Sequence, residues 1–461
     1  MVMNEVIEHC AKGSPVTVMA RMALQHALEP AWLDKLFERE RGKQYQRELL
    51  FSTTVELMSL VAVGLRPSLN AAAKDCPELA VSVQALYDKV KHTELNLVRA
   101  LVTESAARLD AVLAPIIKDE PLTVPGYRLR IVDGSHLPAT DKRLKPLRGF
   151  GGAPLPGHSL IVYDPDRKLV IDIEPCEDAY AQERAVMSSL LKRAMAGELW
   201  IADRAFSTRP ILGEWSRRGC HFIVREHSSA PHPAVLGEAA YKGRVETGAV
   251  YEQAVEFKDE AEKIVTLRRV ELRLSGATES GETVIRILTN LPSKEFTARA
   301  IARLYRQRWK IETLFQRLES VLHSEVKTFG HPRAALLAFG VAVLAYNVLS
   351  VLQAAVSASH DLRKSGIELS PFYVALEVKS HYAGMMMATT AAAWAPYDTI
   401  DAPQLSLLLL DIAKHARIKA LRKNPVSPKK PKEKSTVSAA EKRRHVSTAR
   451  VLKAGFVSRD L

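Results

Sequence analysis

The sequence predicts an α/β protein: a mixed-sheet core with a mostly-β insertion, flanked by helical regions at both ends. Three observations predict it. Between Pro125 and Glu226, short β-branched runs with turn residues between them are interleaved with helical spacing. Residues 227–292 carry strand patterning with no helical segment between the strands. Before and after, over 1–118 and from Thr297 to about 422, apolar residues recur at spacings of three and four.

Taken in order, the helical spacing of residues 1–118 runs through 15–40, 45–63 and 78–117, with breaks at Gly13-Ser14-Pro15, Pro67-Ser68 and Pro115. No helix-turn-helix signature stands out, and a DNA-end-binding domain and a packing or dimerisation domain both fit. RLRIVDGS (128–135), HSLIVYDP (158–165) and KLVIDIEP (168–175) read as strands, followed by a helix over 181–196. ELWIADRAF (198–206) is a buried strand ending at an acid, then a helix covers 208–218, and CHFIVRE (220–226) is a further strand. Strands, helix, strand, helix, strand is the pattern of a mixed α/β sheet. GAVYEQAVEF, KIVTLRRVELRL and TVIRILTNL supply the strands of the β-rich insertion at 227–292, inside a catalytic domain drawn over 125–330. Thr297 caps a helix carrying YRQRWKIE (305–312) and running to about 323. A helical C-terminal region fills 331–422, and the Pro/Lys/Ser composition of 423–461 reads as a disordered basic tail.

Charge is concentrated at that end. The net charge of the chain is +13, and from Lys414 to Leu461 there are 15 Lys and Arg against three acids (Glu433, Glu441, Asp460), so 15 − 3 = +12 lies in this stretch. A basic tail favours polyanions through attraction and counterion release, or else is simply a solvated end. The cysteines Cys10, Cys76, Cys176 and Cys220 are scattered with no CxxC spacing, which argues against structural zinc and a disulfide scaffold and for a reducing cytosol. Glu5 and Glu8 stand where a signal peptide would have a basic run, so none is expected. Between Arg333 and His360 no residue is charged, a length able to cross a bilayer. The stretch is Ala-rich and carries Asn347, Ser350, Gln353, Ser357 and Ser359, which favours a buried helix.

Three acids stand out by context. Asp133 ends Leu129-Arg130-Ile131-Val132 and precedes Gly134-Ser135; Asp203 ends Leu199-Trp200-Ile201-Ala202. Acids at the ends of buried strands project where α/β sheets open to ligands. Glu312 lies on the helix of YRQRWKIE, where a spacing of three and four residues places Tyr305, Arg308 and Glu312 on one face, beside an apolar stripe of Ile301, Leu304, Ile311, Leu314, Phe315, Leu318 and Leu322. Two Asp and one Glu make a hard-oxygen set suited to Mg²⁺ or Mn²⁺. Two such ions about 4 Å apart stabilise the attacking and leaving oxygens of a displacement at phosphorus. Each acid taken singly also reads as a turn former or helix cap; the joint occurrence in this order is what points to a site. Trp309 either stacks on a base or sugar or is a structural aromatic, and His136 and His158 either line the site or are satisfied structural histidines. Asp164, Asp166 and Asp172 read as turn or surface acids. No Walker loop, GxGxxG or nucleophile elbow is present.

With DGS at 133–135, DRAF at 203–206 and YRQRWKIE at 305–312, the chain resembles DDE transposases of the insertion-sequence 4 family, whose signature is Tyr-x2-Arg-x3-Glu-x6-Lys. TNLP (290–293) and GCHFIVRE (219–226) add to the likeness, which covers roughly 125–350. The resemblance implies an RNase H-like catalytic core interrupted by a β-rich insertion between the second Asp and the Glu. It implies Asp133, Asp203 and Glu312 as a catalytic, metal-binding triad for a pair of Mg²⁺ or Mn²⁺ ions. It also implies Tyr305 and Arg308 as DNA contacts, to which Trp309 is added from its place on the helix. It implies double-stranded DNA, transposon ends and target, as partner, a homodimer on that DNA and a bacterial cytoplasmic, nucleoid-associated setting. One position departs from the signature: seven residues after Glu312 stands Glu319, not lysine. The expected function is end binding, metal-dependent cleavage and joining of 3′ ends to target DNA. The alternatives are an RNase H-like nuclease that does not join, and an inactive DNA-binding regulator of a related transposase.

Overall fold

The computed structural model describes residues 4–77, 79–278, 281–320, 325–424 and 445–453. Seven helices open the chain: α1 (Glu5–Gly13), α2 (Pro15–Ala27), α3 (Pro30–Glu40), α4 (Phe51–Ala62), α5 (Leu69–Lys74), α6 (Val83–Lys91) and α7 (Leu95–Ile116). Ser68 and Ser82 cap α5 and α6 through their hydroxyls, which accept from backbone N–H groups three residues on. The sheet follows as β1 (Arg128–His136), β2 (Ala153–Leu155), β3 (His158–Asp164) and β4 (Leu169–Cys176), then α8 (Glu183–Leu191), β5 (Glu198–Ala202), α9 (Arg209–Arg217) and β6 (His221–Arg225). β1 pairs antiparallel with β3 and β3 with β4, while β5 runs parallel to both β1 and β6. The resulting order β4-β3-β1-β5-β6, three antiparallel strands followed by two parallel ones, is an RNase H-like sheet.

Strand alternation buries both faces. Leu129, Ile131, Leu199, Ile201 and Ile223 face one core, shared with α7. Val132, Trp200, Ala202, Phe222 and Val224 face a second core under α8 and α9. A charge buried in this sheet is paired: Arg130 is buried with Asp164 on β3 and Glu198 on β5.

The β-rich segment is β7 (Ala234–Val235), β8 (Ala240–Val245), β9 (Gly248–Lys258), β10 (Ile264–Leu274) and β11 (Val284–Thr289). It is not an appendage. β11 pairs with β6, so these strands prolong the core sheet into one ten-stranded sheet. Then come α10 (Ala298–Tyr305), α11 (Trp309–Ser320) and α12 (Pro332–Ser359), followed by α13 (Leu362–Ser365), α14 (Pro371–Ala388), α15 (Ala391–Trp394), α16 (Ala402–Ala413) and α17 (Ile418–Leu421). The uncharged stretch is α12, which packs on α7, α4 and α16 and is buried along its most apolar eighteen-residue window. Its Asn347 explains why an amide sits in an apolar helix. The side chain donates to the Val170 carbonyl and accepts from the Val170 N–H, each at 2.8 Å, closing the free edge of β4.

Three expectations are corrected. The helix of YRQRWKIE is not continuous: a 3-10 turn at Arg306–Arg308 separates α10 from α11. At about 120° per residue against 100° in an α-helix, three residues displace the wheel by about 60°. Leu322 and the expected helix end near 323 lie outside the described residues. Part of the tail is ordered: β12 (His445–Ser447) runs parallel to β2, and α18 (Thr448–Lys453) follows, with Arg450 and Ser447 both bonded to Asp178. Lys423 is also tied down, its N–H donating to the Glu368 carbonyl; 425–444 and 454–461 lie outside the described residues. Finally, Asp172 is neither a turn nor a surface acid, because Arg193 draws it inward; Asp164 is the turn acid expected, accepting from the Asp166 and Arg167 N–H groups, while its other oxygen is buried against Arg130.

Candidate functional site

The two acids read as strand ends are placed by sheet register. Val132 and Ala202 are partners across the parallel β1–β5 pair, and each is followed by its acid. Asp133 and Asp203 therefore stand side by side where the parallel β1–β5 pairing ends, on the face of Ile131 and Ile201; Asp203 follows β5, but Asp133 is not the strand end expected, because β1 continues to His136 paired with β3. The N–H of Gly134 donates to Asp133 Oδ1 at 2.9 Å.

Glu312 reaches them through Arg308. The guanidinium lies 3.4 Å from Asp133 Oδ2 and 2.6 Å from Glu312 Oε1, with only 15% of its side chain exposed. Burial works against its charge, but Tyr305, Asp203, Glu312 and Asp133 outweigh that and keep it more basic than usual. Burial lifts the Asp133 carboxyl to about 6; Arg308 and the Gly134 N–H oppose the shift, while Glu183 and Asp203 add to it. Burial, then the nearby charge of Asp203, pushes the Tyr305 phenol up to about 12, so it stays a neutral hydrogen-bonding group. Trp309, the first residue of α11, is 66% exposed and is not a packed structural aromatic. Glu319, further along α11, is also exposed.

Two residues here escaped the sequence reading. Glu183, the first residue of α8, lies over Gly134, and burial and Asp203 both raise its carboxyl. An acid in the first turn of a helix ordinarily reads as a complement to the helix dipole, so no signal in the sequence distinguished it. Arg204, inside the quoted DRAF, joins Glu183, His136, Thr208 and His227 in lining a cleft of about 400 Å³ beside the acids. His136 stacks on the buried His158 with ring centroids 5.3 Å apart.

The donor chemistry fits a hard divalent cation: carboxylate oxygens, partly desolvated, with no sulfur or imidazole among them. Yet among the described residues no three Asp, Glu, His or Cys side chains are grouped closely enough to hold a metal ion as they stand. The reason is geometric. Arg308 lies between Asp133 and Glu312 and supplies the positive charge there.

An RNase H-like sheet with one acid inside its first strand, a second just after its fourth in chain order, and a helical acid beyond a β-rich segment, is the class of protein defined by fold and site. Residues 124–348 match the family model described as the transposase DDE domain. The transposase for insertion sequence element IS421 of Escherichia coli is 29% identical over 247 residues, 46% of this chain and 62% of that protein. The InsL proteins of insertion sequence elements IS186A and IS186B in Escherichia coli strain K12 match with the same identity and coverage. The chain thus spans 62% of the length of these curated relatives. A cryo-EM structure of the piggyBac transposase synaptic complex with hairpin DNA aligns over 92% of this chain and 88% of that one, at 12% identity and a TM-score of 0.35, a likeness too low to argue from.

Proposed function

We propose that the chain is a DNA transposase of the insertion-sequence 4 type, which binds the ends of its element, cleaves them by metal-dependent phosphodiester hydrolysis and joins the 3′ ends to target DNA. The observation that carries this is that Asp133 and Asp203 lie side by side where the parallel β1–β5 pairing ends, with Glu312 brought to Asp133 through Arg308. In this reading Asp133, Asp203 and Glu312 hold Mg²⁺ or Mn²⁺, two ions as the family resemblance implies. A bound divalent cation activates the attacking hydroxyl and offsets charge on the leaving oxygen. The chain's own groups do the positioning. The Gly134 N–H orients one oxygen of Asp133. Arg308 holds Asp133 and Glu312 together against their repulsion, and turns to a DNA phosphate when a cation takes over that role. Tyr305, kept neutral, donates to a phosphate oxygen beside it, and the exposed Trp309 stacks on a base or sugar near the cut. The partner is double-stranded DNA, both element ends and target, engaged by a homodimer at the bacterial nucleoid, with the basic tail adding attraction.

The bridge made by Arg308, together with the exposed Glu319, favours a second reading: a protein that binds ends without cutting and so regulates an active relative. One experiment separates them. Purified protein is incubated with labelled element ends, target plasmid and Mg²⁺. Cleavage and joining support the transposase, cleavage alone a nuclease, and a gel shift with neither the regulator. Asp133→Asn, Asp203→Asn and Glu312→Gln are each expected to lower the cleavage rate by about 10³-fold while end binding is kept, since each removes charge that stabilises the transition state. A variant that still cuts at the native rate is not a member of the triad.

A further inference from the structure

Beside the acids, the cleft of about 400 Å³ has the opposite character. Gln182 and Arg184 line it from the start of α8, and Arg204, Ser207 and Thr208 line it from the stretch that leads into α9. Each helix is nine residues long, and neither is capped by a side chain. Gln182 and Thr208 stand at the capping positions, yet no first-turn N–H donates to either side chain. The Gln182 amide oxygen accepts instead from Arg184 Nε. A helix start carries partial positive charge and unpaired N–H donors, which suit a phosphate. The two guanidiniums add full charges. Arg184 is bonded to Gln182 rather than to a carboxylate, and the half-exposed Arg204 has only Glu282 at 3.5 Å, an acid that Arg225 holds more closely. A further observation does not depend on charge. Ser207 lines the cleft although it is wholly buried, and its hydroxyl has no hydrogen-bond partner among the described residues. A buried hydroxyl kept unpaired is costly, and a ligand oxygen entering the cleft would satisfy it. Glu183 is also on the lining, but its carboxylate turns away from the arginines and lies over Gly134, on the side of the acids. Arg204 follows Asp203 in the chain, so a strand whose scissile phosphate lies at the acids carries a neighbouring phosphate towards this cleft.

We propose that the cleft is a phosphate site, which takes the backbone phosphate next to the scissile one in the DNA strand being cut, gripped by Arg184 and Arg204 with the Ser207 hydroxyl donating to one of its oxygens. The proposal rests on the reading of the acidic site as a DNA-cleaving centre. It assigns the two sides of Glu183 different tasks: carboxylates and their cation on one, and the grip on the adjoining phosphate on the other.

The test is binding of the full chain to labelled duplex element ends in chelator, read by gel shift, with single phosphates replaced in turn by neutral methylphosphonates. In native protein the replacement next to the scissile position is expected to weaken binding by about tenfold. Arg184→Gln and Arg204→Gln should each weaken binding to the unmodified duplex by a similar factor, and the methylphosphonate at that position should then cost little more. A full methylphosphonate penalty retained in both variants overturns the proposal. Ser207→Ala separates a ligand contact from a structural one. It should weaken binding while leaving the metal-free Tm unchanged or higher, since an unpaired buried hydroxyl is gone. A lower Tm with native binding makes Ser207 a structural hydroxyl and overturns the proposal. Should Ser207→Ala not fold, the arginine variants decide alone. Ends that are cut in Mg²⁺ with no interference at the neighbouring phosphate overturn the cleft site and leave the acidic site standing. Interference at that phosphate with no cutting in Mg²⁺ supports the cleft and overturns the cleaving centre.

Discussion

Asp133 shows how a single residue's environment sets a measurable response. Its carboxyl sits at about 6 against an ordinary 3.8, because burial and two neighbouring acids together outweigh the help from Arg308. The folded state therefore holds the proton more tightly than the unfolded one. The stability this contributes to metal-free protein is complete below about pH 4 and is lost as pH rises through about 6. A proton held about a hundredfold more tightly corresponds to at most about 3 kcal/mol. In chelator, Asp133→Asn should accordingly gain stability relative to the native protein between pH 4 and pH 7, as followed by urea midpoints. A constant difference across that range would show that Asp133 does not titrate there. Proton and cation compete for the same oxygens, so Mn²⁺ affinity is expected to rise over the same interval. The sequence marked Asp133 and Asp203 as strand-end acids, but it carried no mark for Glu183, whose relevance comes from the absence of a side chain 49 positions upstream, at Gly134.

Among the elements, α12 shows where composition and packing agree. Its lack of charge is consistent with a membrane span or a core helix, and the amide at Asn347 decides between them by what it touches. Asn347 saturates both backbone groups of Val170 on the edge strand β4, tying helix to sheet. Replacement by Leu leaves a buried N–H and C=O unpaired, and a loss of about 2–4 kcal/mol in unfolding free energy is expected. A change under about 0.5 kcal/mol would mean that water replaces the amide, which the melting curve of the single variant would reveal. The strands and helices of 128–225 were legible from β-branched runs and turn residues, because each strand packs on both faces and so needs apolar residues throughout. The break in YRQRWKIE was not legible. A 3-10 turn has no residue preference that separates it from an α-helix, and tertiary contacts of Arg308 accompany it.

For the whole molecule, charge and architecture divide the work. The body through Arg422 carries only +5 of the net +13, and the short tail from Lys423 carries the other 11 − 3 = +8. End recognition by this body is then expected to depend weakly on salt, and the tail to supply most of the salt-dependent affinity. Replacing Lys429, Lys430, Lys432 and Lys434 by Gln should flatten the slope of log affinity against log salt by up to about 3–4, at about 0.9 per phosphate contact on duplex DNA. An unchanged slope in filter binding would assign the tail no DNA contact. The ordered piece of the tail, β12 and α18, has a separate role: it docks on β2 and on Asp178, in the loop that leads to α8 and Glu183.

What the sequence determined by itself is the material of the fold and of its chemistry. Periodicities of 2 and 3.6 set out a sheet between helical flanks, and DGS, DRAF and YRQRWKIE marked the acids, because each of these signals is local and needs only neighbours along the chain. Only the tertiary structure decided the rest. It joined the β-rich segment to the core sheet through β11 and β6, set Asp133 beside Asp203 by strand register, placed Arg308 between two acids, and carried Glu183 across Gly134. These are contacts between residues far apart in sequence, and each depends on a distance that the packing of both partners sets.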